Sequence, residues 1–324
     1  MAFARNWRQS IATEGPRPVV EADIPALNVV FSEAFTDRYR RDGLIGVRVP
    51  HLNPAVWRFA IADAEGGAMA WRDGRGSIIA FNIVHRSGIE GWMGPLAVHP
   101  DHQGHGLGKA IVTAGTEWLK RRGAKVIGLE TMPRTMDNIG FYSSLGFTPG
   151  RLTVTLTLEA QRGRQHAKLF SALDATAKRD ALSQCAALLG RISAGYDYSR
   201  EIALTNAHQL GETLLLEDGN ELRGFALCHC IPLVQGRIRE EIRVLKLAAG
   251  TLADLDEIAT QVCVYARNMS ARRVAVRVQG EYDEVYRGLT QRGARVRWTD
   301  LRMSLAGHGE VTPKSGVVLS NWEI

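Results

Sequence analysis

The sequence has 324 residues, of which 45% are hydrophobic and 23% are charged, and its formal net charge is +6 at pH 7. This composition is typical of a folded protein and excludes a disordered or collagen-like chain, and at about 150 residues per domain the length predicts two domains. No apolar run of about 18 residues is present, and residues 1–7 lack the apolar core of a signal peptide. We therefore expect a soluble, cytoplasmic protein with no membrane partner.

The charge and the cysteines narrow the choice of partners. A basic chain suits a polyanionic ligand and would also suit nucleic acid. The arginines are dispersed, however, and the cluster at 237–243 contains Glu240 and Glu241. We therefore expect solvated faces and no nucleic-acid partner. The four cysteines, two of them in Cys228-His229-Cys230, form neither a disulfide framework nor a paired C-x-x-C zinc motif.

The first half of the chain begins with alternating strands and helices. Residues 17–20 are predicted to form a strand, a helix is expected from Asp23, and residues 77–84 form the next strand. The apolar run at 92–98 is a further strand that contains Pro95. Because proline has no N–H to donate to a sheet, Pro95 predicts an edge or a bulge.

A glycine-rich turn follows this strand and opens a helix. The helix is predicted from apolar residues at helical spacing after Gly108, namely Ala110, Ile111, Ala114, Trp118 and Leu119. At a helix N-terminus, unpaired N–H groups and the positive end of the dipole face the same point. Glycines let an anion approach those N–H groups and tolerate positive φ angles. The turn therefore predicts a site for a nucleotide-like anion.

Two common phosphate loops do not fit the spacing. In a Walker A loop that ends at Gly108-Lys109, Gln103 would stand where the first glycine belongs and Ala110 where the Mg²⁺-binding hydroxyl belongs. A dinucleotide fingerprint that starts at Gly104 would need glycine at Lys109.

The pattern Gln103-x-x-Gly106-x-Gly108 resembles the Q/R-x-x-G-x-G/A pyrophosphate loop of the GNAT family of acyl-CoA N-acyltransferases. Residues 138–147, N-x-x-F-Y-x-x-L-G-F, resemble a second family motif, and the predicted strand 126–131 lies between the two motifs, as the family pattern requires. The resemblance covers roughly residues 17–158. It implies an α/β fold with a twisted mixed sheet flanked by helices, and acetyl-CoA or another acyl-CoA as co-substrate.

The resemblance also implies roles for individual residues. The motif strand would splay from its neighbour and admit the pantetheine arm, Asn138 would contact the cofactor, and Tyr142 would protonate the departing thiolate as a general acid. Asn138 and Tyr142 are four residues apart and so share one helix face. The implied cofactor-binding residues are Leu96, Ala97, Val98, Gln103, Gly104, His105, Gly106, Leu107, Gly108, Lys109, Asn138 and Tyr142.

The general base is harder to assign. Glu90 precedes Trp92 by two residues and shares its strand face, and it is our candidate, although Trp92 stands at the position that aligns most directly with the family carboxylate. Glu130 and Glu33 are rivals, and a water relay is a further alternative.

Neither a metal nor a covalent acyl-enzyme is expected. His99, His102 and His105 lack the spacing of a regular ligand face, because Pro100 and the glycine turn intervene. All four cysteines lie after residue 184, far along the chain from the loop. The acyl group is therefore expected to pass directly to the acceptor.

The second half repeats the first in degenerate form. Five segments recur in the same order, which indicates a duplication of the same fold. The paired segments are 19–23 with 170–174, 78–84 with 223–228, 96–98 with 245–247, 126–131 with 274–279, and 141–145 with 285–289.

The second copy lacks the pyrophosphate loop. Asp254, Asp256 and Glu257 stand at its helix start, where they would repel a phosphate. We therefore assign residues 1–160 to a catalytic domain and residues 161–324 to a degenerate one that does not bind acyl-CoA. Residues 316–324 are predicted to form a last strand that returns to a sheet edge.

These patterns predict an N-acetyltransferase that moves an acetyl or small acyl group from acyl-CoA to a primary amine of a small molecule or peptide. The alternative is a non-catalytic acyl-CoA sensor that binds the cofactor without acceptor chemistry. A monomer or a homodimer is expected.

Overall fold

The computed structural model describes residues 13–323, so the expectation for residues 1–7 lies outside the described part of the chain. The first half contains ten helices and strands. They are β1 (Glu14–Pro18), α1 (Ile24–Arg41), α2 (Pro54–Asp63), β2 (Ala68–Arg72), β3 (Ile78–Ser87), β4 (Glu90–Val98), α3 (Leu107–Arg121), β5 (Val126–Thr131), α4 (Met136–Ser144) and β6 (Phe147–Glu159).

The second half repeats this order and adds one strand. Its elements are β7 (Lys168–Leu169), α5 (Ala175–Ile192), α6 (Ser199–Ala207), β8 (Gly211–Asp218), β9 (Glu221–His229), β10 (Glu241–Ala249), α7 (Leu252–Asn268), β11 (Arg273–Gln279), α8 (Asp283–Gln291), β12 (Arg295–Leu305) and β13 (Val317–Ser320). In both halves a short 3-10 helix precedes the first long helix, at Glu21–Asp23 and Phe170–Ala172. The structure thus shows the same order of elements that the five recurring sequence segments indicate.

Sequence patterning missed two elements in the first half, α2 and β2. Local signals for α2 exist, because Pro54 occupies its first turn and the Asn53 side chain accepts a hydrogen bond from the Ala55 N–H at 3.0 Å. This is an ordinary N-cap followed by a helix-compatible proline.

All thirteen strands of residues 13–323 form one mixed sheet. The order is β1-β2-β3-β4-β5-β12-β6-β11-β10-β9-β8-β7, with β13 beside β10. Each half therefore receives its last long strand from the other half, because β12 lies between β5 and β6 and β6 lies between β12 and β11.

Helices cover both faces of the sheet. On one face of the first half, α3 buries Ile111 and Leu119 completely, and each such side chain contributes about 1.5–3 kcal/mol relative to an exposed one. Leu129 and Tyr142 belong to the same apolar cluster. On the other face, α1 and α2 pack over a cluster that includes Trp57, Trp92 and Trp322. None of the helices in the described residues is long and apolar enough to cross a lipid bilayer.

The sheet splits between β4 and β5, after an interruption in β4. Asn82 of β3 lies opposite Leu96 and Val84 opposite Met93, so two residues of β4, Gly94 and Pro95, face one residue of β3. This is the bulge that Pro95 predicts. The parallel pairing of β4 with β5 ends at the same point, at the Met93–Leu129 pair. Beyond it, β4 pairs with β3 alone.

The corresponding gap in the second half is occupied by β13. Strand β10 pairs with β11 from Glu241 to Arg243, and then its residues Lys246 to Ala249 pair with β13 instead. The side-chain amide of Gln279, at the end of β11, donates to the Ser320 carbonyl at 3.0 Å. The tail is a strand, as predicted, but the expectation of a sheet edge is wrong, because the open gap between β10 and β11 offers it a place inside the sheet.

Candidate functional site

The glycine turn forms a concave loop at the N-terminus of α3. Gly104 and Gly106 have φ angles of +79° and +82°, and Gly106 is the N-cap of the helix. A Cβ atom on Gly106 would point into open space, so its glycine is required by the left-handed backbone and by the room that it leaves.

The N–H groups of this loop are available for a ligand. The first helical bond runs from the Ala110 N–H to the Gly106 carbonyl at 3.1 Å, and before it the His102 and Gln103 N–H groups bond within the preceding turn. No residue of the range 13–323 accepts a hydrogen bond from the N–H groups of 104–109. Six N–H donors near a positive helix end are therefore left without an acceptor in the described part of the chain.

Side chains fix the position of the loop. The Gln103 amide donates to the Val98 carbonyl at 3.0 Å and so ties the loop to the end of β4. A Cβ on Gly108 would lie 3.2 Å from the Phe141 ring, so this glycine allows α3 to approach α4 closely. Leu107 is buried in the core, whereas His105 and Lys109 are exposed beside the loop.

The gap between β4 and β5 leads from this loop into the sheet. Leu96, Ala97 and Val98 pair with β3 on one side, and on the other side the parallel ladder to β5 has already ended. Their free strand edge is where the resemblance predicts pantetheine.

Two residues of α4 stand beside the gap. The Asn138 side chain donates to the Thr131 hydroxyl, at the end of β5, with a separation of 3.4 Å. Tyr142 is 7% exposed and packs between Phe141 and Phe147, and its hydroxyl has no hydrogen-bond partner among the described residues. Burial raises the pKa of Tyr142 above its ordinary value, so the phenol keeps its proton.

Glu90 is placed far from the open end of the gap. It lies at the start of β4 and is fully buried, and its carboxylate accepts from the Trp322 indole at 2.8 Å and from the Tyr198 hydroxyl at 3.2 Å. The Lys246 ammonium group lies 3.6 Å away. Glu90 as the catalytic base stays a prediction.

The rival carboxylates are also engaged. Glu33 on α1 lies 2.5 Å from the imidazole of His99. Glu130 on β5 lies 2.6 Å from Arg277 and 3.0 Å from Arg302, and it accepts from the Thr153 hydroxyl at 2.6 Å. Burial alone would raise the pKa of Glu130, but the two guanidinium groups lower it below its ordinary value. A carboxylate held ionised in this way is a poor proton acceptor at neutral pH.

Sequence reasoning missed a charged cluster around Glu130, which we call the central cluster. Its members are Glu130, Arg277, Asp300, Arg302 and Glu323, and four of the five come from the second half. Arg277 bridges three carboxylates, with distances of 2.6 Å to Glu130, 3.0 Å to Asp300 and 2.7 Å to Glu323. Only long-range strand pairing joins these residues, so no local motif could have revealed them.

Asp300 differs electrostatically from the rest of the cluster. Burial, and then the Glu323 carboxylate, raise the pKa of Asp300 to about 7, although Arg277 opposes the shift. Its two oxygens accept from Arg277 at 3.0 Å and from the Trp298 indole at 3.2 Å.

Helix α1 spans the open end of the gap. Its Glu33 contacts His99 at the end of β4, and further along the helix Arg38 lies 3.1 Å from Asp137 on α4. Asp42, which follows α1, accepts from the Thr135 hydroxyl at 2.7 Å. These contacts anchor α1 on both sides of the gap.

In the described part of the chain no three His, Cys, Asp or Glu side chains are grouped so that they could hold a metal ion. The four cysteines are buried in the second half and unpaired.

The second half has a different arrangement at its helix start. The Thr251 hydroxyl accepts from the Asp254 N–H at 3.1 Å and caps α7. Arg223 lies 2.9 Å from both Asp254 and Glu257. An ion pair therefore occupies the position where the first half presents free N–H groups.

Comparison with known proteins agrees with this architecture. Residues 31–147 match the model of the acetyltransferase (GNAT) family. A mycothiol acetyltransferase of Stackebrandtia nassauensis is 36% identical over 90 residues, which cover 26% of this chain and 29% of that relative. The chain therefore spans under a third of the length of this curated relative.

Solved structures show the same fold over nearly the whole chain. A protein from Pyrococcus horikoshii matches with a TM-score of 0.66 at 15% identity, covering 99% of this chain and 98% of the other. A tandem GNAT protein from the clavulanic acid biosynthesis pathway matches with a TM-score of 0.53 at 11% identity, covering 90% and 98%. The split mixed sheet and the loop before α3 define an acyltransferase-type α/β fold. Residues 31–147 thus match the GNAT acetyltransferase family, and the fold of the whole chain is similar to that of a tandem GNAT protein.

Proposed function

We propose that the first half of this protein transfers an acetyl or other small acyl group directly from acyl-CoA to a primary amine of a small molecule or peptide. The observation that carries the proposal is the continuity of the free N–H groups at 104–109 with the open strand edge of β4 and the Tyr142 hydroxyl. The match of residues 31–147 to the acetyltransferase (GNAT) family and the partial match to a mycothiol acetyltransferase support the same activity.

The residues present fit acyl-CoA. The loop offers six N–H donors and the open space next to Gly106, which suit a pyrophosphate. The unpaired edge of Leu96, Ala97 and Val98 suits the amides of pantetheine, because a strand backbone and the pantetheine amides can form the same kind of hydrogen bonds with each other as two neighbouring strands do. Bound acyl-CoA would supply the activated acyl carbon and a thiolate leaving group.

The chain's own residues would then orient the bound acyl-CoA and protonate its leaving thiolate. We assign pyrophosphate binding to residues 103–109. We assign a contact with the cofactor to Asn138. Tyr142 would donate its proton to the sulfur, since a neutral phenol in an apolar surrounding is a hydrogen-bond donor with no competing partner in the described chain. No cysteine nucleophile is used, so the acyl group would move in one step.

We further propose that the division of labour follows residues 1–160 and 161–324. The second half would not bind acyl-CoA, because β13 fills the gap that pantetheine needs and the Arg223 ion pairs engage the acids at the start of α7. It would instead complete the acceptor side of the first half. A cytoplasmic monomer or homodimer that acts without metal or nucleic acid is the matching expectation.

Binding of the cofactor is tested by calorimetry with acetyl-CoA. Gly106→Glu should abolish binding, because it places a negative charge and a side chain in the loop. Gly293→Glu is the matched control, since Gly293 also has a positive φ of +88° and open space around it but lies in the second half. Equal affinities for the two variants would contradict the cofactor assignment.

Transfer is tested by free-thiol release from acetyl-CoA with a panel of amines: glucosamine, spermidine, lysine amide and an alanine-starting peptide. Amine-dependent release, with the acylated amine found by mass spectrometry, is the result expected of an enzyme. Binding of acetyl-CoA without release across the panel would favour the acyl-CoA sensor.

A further inference from the structure

Strand β12 brings a carboxylate of the second half to the acceptor side of the first. Although β12 follows α8, it pairs with β5 in antiparallel register, with Leu301 opposite Thr131 and Arg302 opposite Glu130. Asp300 stands one residue beyond the Leu301–Thr131 pair. It therefore lies level with the end of β5, at the height where the β4–β5 gap is open.

Side-chain alternation places Asp300 on the face opposite to Tyr142. Residues 300 and 302 of β12 share one face, which is the face of Glu130, since Arg302 and Glu130 form a cross-strand pair. Tyr142 belongs to the apolar cluster on the other face, together with Leu129. A group in the gap would have the phenol on one side and Asp300 on the other.

Helix α1 covers the same face as Asp300. Its Tyr39 lies between the contacts that Glu33 and Asp42 make on either side of the gap. Burial, and then the charges of Asp300 and Glu323, raise the pKa of Tyr39. Asp300 thus lies on the face that α1 covers, and it is 5% exposed.

The charges around Asp300 distinguish it from the other carboxylates near the site. Its electrostatic neighbours come from four elements: Arg277 of β11, Glu130 of β5, Glu323 of the C-terminal tail and Tyr39 of α1. Arg302 of β12 lies on the same face of the sheet. Glu130 is bonded to both arginines and Glu33 to His99. Asp300 shares Arg277 with two other carboxylates and has a pKa of about 7, which matches a proton acceptor that works at neutral pH.

We propose that Asp300 is the general base of the acyl-transfer reaction in the first half, supplied by the strand that the second half inserts into the sheet. This role rests on the proposed function. The acceptor amine forms a C–N bond to the acyl carbon as the C–S bond breaks. The proton lost by the amine goes to the Asp300 carboxylate, directly or through one water, and the thiolate receives the proton of Tyr142.

The first test measures Asp300 directly in protein labelled with ¹³C at aspartate carboxyl carbons. The resonance missing from Asp300→Asn should titrate near pH 7 and should shift when acetyl-CoA is added. Asp218→Asn is the control, because Asp218 is exposed at the end of β8 and its resonance should ignore acetyl-CoA. An Asp300 resonance that titrates in the ordinary acidic range, or that does not respond to acetyl-CoA, would overturn the proposal.

The second test uses the amine of the panel that is turned over fastest. Asp300→Asn should lower kcat by about 100-fold or more while calorimetric binding of acetyl-CoA is unchanged, and Asp218→Asn should match the wild type. Glu323→Gln should move the acidic limb of the kcat/KM profile to lower pH, because it removes the negative charge that raises the pKa of Asp300. An acidic limb that is unchanged in both Asp300→Asn and Glu323→Gln would contradict the role of Asp300 as the general base.

The outcomes separate this role from the function on which it rests. If wild-type protein does not bind acetyl-CoA, the proposed function fails and the role of Asp300 fails with it. If acetyl-CoA binds and the Asp300 resonance stays silent, only the role of Asp300 is overturned. If no amine of the panel is turned over, the titration decides alone.

Discussion

Tyr142 is a buried phenol without a hydrogen-bond partner in the described chain, and this isolation explains its expected behaviour. The hydroxyl oxygen is not among the fully buried unpartnered atoms of residues 13–323, so it keeps access to solvent although the ring is buried. It is therefore free to donate to a group that binds beside it.

Tyr142→Phe should therefore lower kcat about 100-fold and leave the affinity for acetyl-CoA nearly unchanged, since the ring still fills its place between Phe141 and Phe147. The measurement is free-thiol release compared with calorimetry. Phe141→Leu, which alters the packing but keeps the hydroxyl, is the control. A loss of binding as large as the loss of turnover would contradict the role of general acid.

Asp300 should also be visible in the stability of the fold. The folded state binds its proton up to about pH 7, whereas the unfolded chain releases it near pH 4. Between these values the folded state holds more protons, so the wild type should lose stability relative to Asp300→Asn as the pH rises from about 4 to about 7. Above that range the difference should be constant.

Urea denaturation of both proteins at several pH values measures this difference, and Asp218→Asn serves as the exposed comparison. A difference between wild type and Asp300→Asn that is flat over this range would show that the pKa of Asp300 is not raised.

At the scale of single elements, the two gaps in the sheet have different occupants. In the first half the edge of β4 beyond Met93 is free, and in the second half residues Lys246 to Ala249 of β10 pair with β13. A strand and a pantetheine arm make similar amide hydrogen bonds, so they compete for the same edge.

One acetyl-CoA should therefore bind per chain, and calorimetry of the full chain gives the number directly. In Gly106→Glu the number should fall to zero rather than to one, because no second gap is open. A stoichiometry of two would show that β13 can be displaced.

The elements that sequence patterning predicted are those with local signals. Pro95 predicted the bulge, the glycine spacing predicted the turn before α3, and apolar periodicity predicted the helix itself. The central cluster was beyond such reasoning, because Glu130 and Asp300 are 170 residues apart and meet only through the register of β12 with β5. The position of β13 depended likewise on a gap that no sequence window contains.

At the scale of the whole molecule, the two halves are joined by exchanged strands. Strand β6 pairs with β11 from Glu159 to Thr153 and with β12 from Phe147 to Thr157. A proposed boundary at residue 160 therefore separates two copies of a fold that share their central strands.

Residues 1–160 and 161–324 produced separately should not fold, because each would leave strands of the central sheet unpaired. Produced together, they should associate and recover acetyl-CoA binding, as judged by size-exclusion chromatography and calorimetry. The control is the full chain cleaved after residue 160 once folded, which should remain associated. A monomeric, folded fragment 1–160 that binds acetyl-CoA would contradict this view.

The C-terminal strand has one more consequence, which concerns the history of the duplication. The segment that closes the gap of the second half continues into Trp322, whose indole bonds Glu90, and Glu323, which pairs with Arg277. Restoring an acyl-CoA slot in the second copy would require expelling β13, and that would strip both residues from the centre of the first copy. Under the division of labour that we propose, loss of one site and completion of the other are thus inherited together, and the asymmetry of the two copies is difficult to reverse by stepwise mutation.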